Sequence, residues 1–207
     1  MDRSRKIRKF PQLSSERLLL RQFTLRDTEP VFAIFSRPEV TAYYNLETLT
    51  ERLEARNLVL SRRSLFINGQ GLRWAILRKD NPKNLIGSCG FYNLNSQYHS
   101  AEIGYDLHPE YWHQGYMGEA LTTMLDFGFS SGFFFTLNRV EALCMPANIA
   151  SIRILEKLGF CLEGLRRQYG FWKGMHHDVV AYALLREDWK KMRYSSQFMH
   201  IFPDSQE

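Results

Sequence analysis

Between Ala101 and Phe129 the spacing of apolar residues changes period, and this change limits the fold more than any other feature of the chain. Ala101, Ile103, Tyr105 and Leu107 alternate with Glu102, Gly104 and Asp106, the period of two that marks a strand. Pro109 has no N–H to give a ladder, which predicts the end of that strand. A loop with two glycines follows, His113-Gln114-Gly115-Tyr116-Met117-Gly118, and beyond it Leu121, Met124, Leu125 and Phe129 recur at helical spacing. A strand that passes through a glycine-bearing loop into a helix is a recipe for gripping phosphate. Glycine lets the backbone come close, and the helix start offers unpaired N–H groups and a partial positive charge. The glycines match neither common nucleotide fingerprint, because the chain contains no GxxxxGK(S/T) and no GxGxxG. Taken alone, the segment also reads as a turn that happens to contain glycine.

The stretch Asn148–Phe160, NIASIRILEKLGF, adds a second element. Asn148 suits a helix N-cap, Ile152, Leu155 and Leu158 mark a core-facing stripe, and Gly159 suits the position after the helix, where positive φ costs glycine least. Asn148 and Ser151 then sit in the first turn, beside free backbone N–H groups. That is a place to hold an amide-rich ligand and to supply a hydroxyl proton. As residues alone, the segment is equally an amphipathic helix with a polar cap.

Around these two segments the coarse order is strand Arg17–Phe23, helix Leu25–Phe35 with a Thr24/Asp27 capping box, helix Thr50–Phe66 marked by Leu53, Leu58 and Leu60, and strands Arg73–Arg78 and Leu85–Tyr92. Strands Arg139–Cys144, Cys161–Trp172 and Val179–Arg186 follow, with His176-His177-Asp178 reading as a polar turn before the last. Strands alternating with helices predict a mixed α/β sheet. At 207 residues and 44% hydrophobic, the chain can bury one sizeable core. The expected division is a basic arm at 1–12, one domain at 13–189 and a polar tail at 190–207. Residues 1–10 carry a net +4 of the total +5, so the basic excess is a tail and not a nucleic-acid-binding face. Three cysteines without CxxC spacing, Cys89, Cys144 and Cys161, argue against a disulfide scaffold and for a reducing compartment. No metal is expected, for there is no HExxH and no clustered carboxylate set. The absence of a long apolar run and of a hydrophobic region behind the basic N-terminus predicts a cytoplasmic protein with no membrane partner.

Several segments in order resemble the GNAT superfamily of acetyl-CoA-dependent N-acetyltransferases, and within it the RimJ/RimL-type branch. They are Ser15–Arg21, Leu85-Ile86-Gly87 with Gly90-Phe91, Ala101–Tyr105, Tyr111–Ala120, Asn148–Phe160, and Glu163-Gly164 followed by Lys173-Gly174 and Asp178. The resemblance covers about residues 13 to 189. It implies a mostly antiparallel central sheet of about seven strands flanked by helices and splayed between the fourth and fifth. It also implies acetyl-CoA as acyl donor and direct attack of an amine on the thioester. By position, the loop Gln114, Gly115, Tyr116, Met117 and Gly118 would bind the pyrophosphate, Tyr105, Leu107 and His108 would pair with the pantetheine arm, Asn148 would bind that arm from the other side, and Ser151 would lie near the sulfur. The acceptor would be a protein N-terminal amine, ribosomal by analogy, or a small amine such as an antibiotic or polyamine. A non-catalytic CoA-binding sensor and a monomer or homodimer are also compatible with the pattern. Two departures stand out. Met117 and Glu119 occupy loop positions that the superfamily keeps small, and Gly170 stands where the branch often has a glutamate.

The chemistry asks for a base to take the ammonium proton and an acid near the leaving thiolate. Candidate bases are Glu102, Asp106, His108, His113 and the pair His176-His177. Glu102 is the first choice, acting through a water, and Ser151 is the candidate acid. Trp74, Trp112, Trp172 and Trp189 are read as packing residues.

Overall fold

The computed structural model describes residues 9–201, with side chains through residue 193. The segments 1–8 and 202–207 of the expected arm and tail lie outside the described residues. Phe10, inside that expected arm, packs edge-on against Phe66 and Trp74, and the Pro11 carbonyl accepts the Trp74 indole N–H at 2.7 Å.

The elements run β1 (Leu13–Ser14), β2 (Leu18–Gln22), α1 (Thr28–Phe35), α2 (Pro38–Thr41), α3 (Arg52–Ile67), β3 (Leu72–Arg78), β4 (Asn81–Asn95) and β5 (Ser100–Leu107), then α4 (Tyr116–Gly128), β6 (Arg139–Cys144), α5 (Ile149–Lys157), β7 (Cys161–Trp172), β8 (Met175–Leu185) and α6 (Arg186–Ile201). One eight-stranded sheet has the order β1-β2-β3-β4-β5-β6-β8-β7. The strand beyond the expected seven is Leu13–Ser14, too short to leave a period in the sequence. All neighbours are antiparallel except β5 and β6. That parallel pair holds only from Ser100, Ala101 and Glu102 to Arg139, Val140 and Glu141. Past those residues the strands part, which is the splay that the resemblance implied.

Alternation along the strands divides the core in two. Leu18, Leu20, Leu72, Trp74, Ile76 and Ile103 face α4, α5 and α6. Ala75, Leu77 and Leu85 face Val31, Ile34 and Phe35 of α1 and Ala55 and Val59 of α3. Gly128 makes the first layer possible: a Cβ there would lie 2.5 Å from Phe91 Cζ. Two local expectations change. The buried stripe of α3 is Ala55, Val59 and Arg62, while Leu53 and Leu60 are exposed, because the i, i+4, i+7 row is the one that meets the sheet. His176-His177-Asp178 is not a turn but part of β8. The chain reverses at Lys173-Gly174, whose φ values of 51° and 75° fit a two-residue hairpin turn. Helix α6 begins before the tail expected from residue 190 and runs through it to Ile201.

Candidate active site

Where β5 and β6 part, a cleft of about 480 Å³ opens between the two faces of the sheet. Tyr105 lies on the α5 side of its wall, and Glu102, Gly104, Arg73 and Tyr92 on the α1–α3 side. Asn148 and Ser151 close the α5 side. Asn148 caps α5, its Oδ1 accepting the Ser151 N–H at 3.1 Å. Ser151 is buried, and its Oγ lies 2.6 Å from the Tyr105 hydroxyl. Burial pushes the Tyr105 phenol well above its ordinary range, although Ser151 pulls it down. The phenol therefore stays protonated at neutral pH, and the pair is a store of hydroxyl protons. Burial likewise lifts the thiol of Cys144, across the cleft beside Ser151. The Glu102 carboxylate accepts from Asn93 Nδ2 at 2.9 Å.

The other predicted binding residues stand beyond the cleft wall, at the C-terminal end of β5. Leu107 ends the strand and its carbonyl accepts the Trp112 indole N–H at 2.8 Å, while the Tyr105 carbonyl accepts the Tyr44 hydroxyl at 3.1 Å. His108 opens a short turn, with its Nδ1 accepting the Glu110 N–H at 3.3 Å. Gly115, at φ 78°, is the N-cap of α4 and has no side chain with which to cap it. Glu119 N donates to Gly115 O at 3.1 Å, so the N–H groups of Gly115, Tyr116, Met117 and Gly118 are the four that a helix start leaves without intrahelical acceptors. A Cβ at Gly118 would meet nothing within 4 Å. The donors and the open space together suit a diphosphate.

The two loop residues that depart from the small-residue pattern both turn away from that space. Met117 is buried in the core. Glu119 accepts from Ser15 Oγ at 2.6 Å, Arg17 N at 2.8 Å and Arg17 Nε at 2.6 Å. Burial opposes the Glu119 charge, but these bonds outweigh it and hold the carboxyl below its ordinary value. Arg17 also donates to the Gln114 carbonyl at 3.1 Å and lies 4.4 Å over the Tyr116 ring. A residue far upstream thereby fixes the loop.

Beneath the cleft lies a buried charge cluster. The Asp106 side chain is fully buried, and its Oδ2 accepts from Arg73 at 2.5 Å, Arg62 at 3.1 Å and Ser88 at 2.6 Å. Tyr44 joins it through Arg73 at 3.2 Å. Burial lowers the Arg62 pKa against the pull of Asp106, and it raises that of the Tyr44 phenol. Asp106 is thus committed to two guanidinium groups and is not the base that its position in the strand allowed.

Residues 17–161 match the family described as the acetyltransferase (GNAT) domain. The chain belongs to the GNAT acetyltransferase family. It is an N-acetyltransferase of the RimJ/RimL-like kind, 39% identical over 177 residues to the uncharacterized N-acetyltransferase YoaA of Bacillus subtilis, covering 86% of this chain and 98% of that protein. The [ribosomal protein uS5]-alanine N-acetyltransferase of Escherichia coli is 32% identical over 108 residues, 52% of this chain and 54% of that one. RimL, a ribosomal L7/L12 alpha-N-protein acetyltransferase solved in complex with coenzyme A, shares the fold, with a TM-score of 0.74 at 22% identity over 84% of this chain and 98% of that one.

In this GNAT enzyme the remaining candidate bases are placed as follows. His113 is exposed in the loop with φ 59°, and His176 is exposed with its ring against Phe171. His177 stacks on Trp172 at 4.2 Å and 15°, its Nε2 3.0 Å from the Trp172 carbonyl. Among the carboxylates and imidazoles considered, only Glu102 lines the cleft. Trp172, read as packing, stacks on His177 and also lines the cleft. Among the described residues no group of three His, Cys, Asp or Glu side chains is placed to hold a metal, and no helix is long and apolar enough to cross a membrane.

Proposed function

We infer that the protein moves an acetyl group from acetyl-CoA to a primary amine, with a protein N-terminal amine as the leading acceptor class. The observation that carries this reading is the cleft at the β5–β6 opening, where the hydroxyl pair Tyr105–Ser151 and the carboxylate of Glu102 meet across one space. Acetyl-CoA would supply an acetyl thioester there. Gln114 to Gly118 would hold the pyrophosphate through main-chain N–H groups. Asn148 would offer its Nδ2, which its capping bond leaves available, and the Tyr105, Leu107 and His108 backbone would line the pantetheine arm. Each of the Tyr105 and Leu107 carbonyls has a second lone pair beyond the side-chain bond it already accepts.

Glu102 takes the ammonium proton through a water and passes it to solvent; Ser151 Oγ gives a proton to the leaving sulfur and is recharged from Tyr105 OH, and the second proton that the nitrogen sheds as the amide forms restores Tyr105. The E. coli uS5 enzyme supports a protein N-terminus as acceptor, and the expected setting is the cytoplasm. Isothermal calorimetry with coenzyme A, followed by thiol release from acetyl-CoA over peptides and small amines, tests the reading. Absence of coenzyme A binding would refute it.

A further inference from the structure

Resting on that reading, which puts the acceptor amine at Glu102 on the α1–α3 side of the cleft, that side carries a chemical preference of its own. The outer hairpin sets it. A Cβ on Gly170 would lie 2.4 Å from Trp172 Cζ3 and 2.9 Å from Cε3, so the indole fills the space that a side chain at 170 needs. Gly170 faces His177 across the hairpin, and the indole lies flat on that imidazole. The Trp172 indole N–H is buried and has no partner among the described residues. The hairpin tip is tied down where Lys173 Nζ donates to the Thr41 carbonyl at 2.6 Å. That bond sets the tip beside Tyr43 and Tyr44, which share the cleft wall with Trp172, Tyr92 and Tyr169.

Among the described residues the cleft wall itself carries two ionised side chains, while Glu141, the register partner of Glu102, is engaged by Arg139. Glu102 is the one carboxylate on the wall among the described residues, and it already accepts from Asn93. The other ionised side chain on the wall is Arg73, part of a cluster in which two guanidinium groups face one carboxylate. A polycation entering here would find one shared negative charge above a net positive one. A ring would find flat faces on several sides, where offset or edge-on contact is favourable.

We propose that the acceptor is an amine borne next to an aromatic ring, and that Trp172, seated over Gly170, is the residue that selects it. The ring of the acceptor packs on the indole while the amine points to Glu102. A side chain at position 170 and the indole in this place exclude each other. The glycine is therefore part of the selectivity.

The test compares kcat/KM of the full-length enzyme, with saturating acetyl-CoA, for tryptamine, phenylethylamine and a peptide amide beginning with phenylalanine against spermidine, ethanolamine and the same peptide beginning with serine. The aromatic acceptors are expected to lead their partners by about tenfold or more, the size of one good ring contact. Trp172→Ala should abolish most of that ratio and leave the KM for acetyl-CoA unchanged, and Trp172→Phe should restore part of it. Gly170→Glu with Trp172→Ala should shift the preference toward spermidine. Equal or faster turnover of spermidine by the native enzyme would overturn the proposal, as would an aromatic preference that survives Trp172→Ala. An enzyme that binds coenzyme A and acetylates none of the aromatic amines also overturns it. Failure to bind coenzyme A would instead overturn the reading on which it rests.

Discussion

Replacing Asp106 by Asn should cost the fold more than any single change at the cleft surface. The carboxylate is fully buried and faces Arg73 and Arg62, whose side chains are 11% and 7% exposed. Asn keeps the size and one acceptor but removes the only negative charge between two guanidinium groups. Breaking a buried pair in this way leaves uncompensated charge and costs about 3–5 kcal/mol. Against a total stability of roughly 5–15 kcal/mol for a single domain, that is a large share. With a urea m-value of about 2 kcal/mol/M, the unfolding midpoint should fall by about 1.5–2.5 M. Circular dichroism against urea reads this directly. Adding Arg62→Met to Asp106→Asn should recover part of the loss, because one of the two unpaired cations disappears and a methionine fits beside Phe23 and Phe35, over which Arg62 now lies. A midpoint within about 0.5 M of the native value, or a double variant that is less stable than Asp106→Asn, would refute the view of the cluster as a mutually dependent set.

Ser151→Ala should lower kcat by about ten- to a hundredfold with little change in the KM for acetyl-CoA, Tyr105→Phe should do the same, and steady-state kinetics should show the double variant no worse than either alone, as for groups that pass one proton. Asn148→Ala should raise the KM for acetyl-CoA and lower stability by about 1 kcal/mol through loss of the α5 cap. Gly118→Leu should weaken coenzyme A binding by calorimetry while the melting temperature changes little, because its Cβ enters open space. The folded Glu119 carboxyl lies below its unfolded value of 4.5, so its stabilising effect is complete above that pH and is lost as the pH falls through the lower folded value. Thermal melts of Glu119→Gln should therefore show a smaller loss of stability than the native protein across that acid window.

Local signals were legible wherever the cause lies within a few residues. The alternation at Ala101–Leu107, the break at Pro109, the Asn148 cap and the positive φ of 82° at Gly159 all follow from neighbouring residues and appear where the pattern places them. Asp106 was misread as an available base because alternation gives the face and not what covers it. The cover is α3, and the Arg62 that meets Asp106 lies 44 positions away. A guanidinium at the i+7 position of the Ala55–Val59 stripe was the one visible sign. The seat of Trp172 on Gly170 lies just past a register shift in β7 between Arg166 and Gly170, which composition does not encode. The hold of Arg17 on the loop spans 102 positions to Glu119, so the loop's departures from a small-residue pattern looked like defects when read alone.

The place of the cleft follows from one step in the topology. β5 and β6 are parallel, so the chain between them must cross over, and α4 is that crossover. A crossover helix begins near the end of the strand that it follows, which brings the uncapped start of α4 to the C-terminal end of β5. The same two strands pair only through Glu102 and Glu141, so they diverge toward that very end. Beyond those residues each strand presents backbone groups with no neighbouring strand to bond, and buried backbone polar groups need partners. Side chains answer two of them, Tyr44 at the Tyr105 carbonyl and Trp112 at the Leu107 carbonyl. The free main-chain edge, the helix start and the hydroxyl pair on α5 thus arise together at the carboxyl ends of two parallel strands, where open α/β sheets bind their ligands. A change that restored full β5–β6 pairing would close the cleft and satisfy the backbone at once.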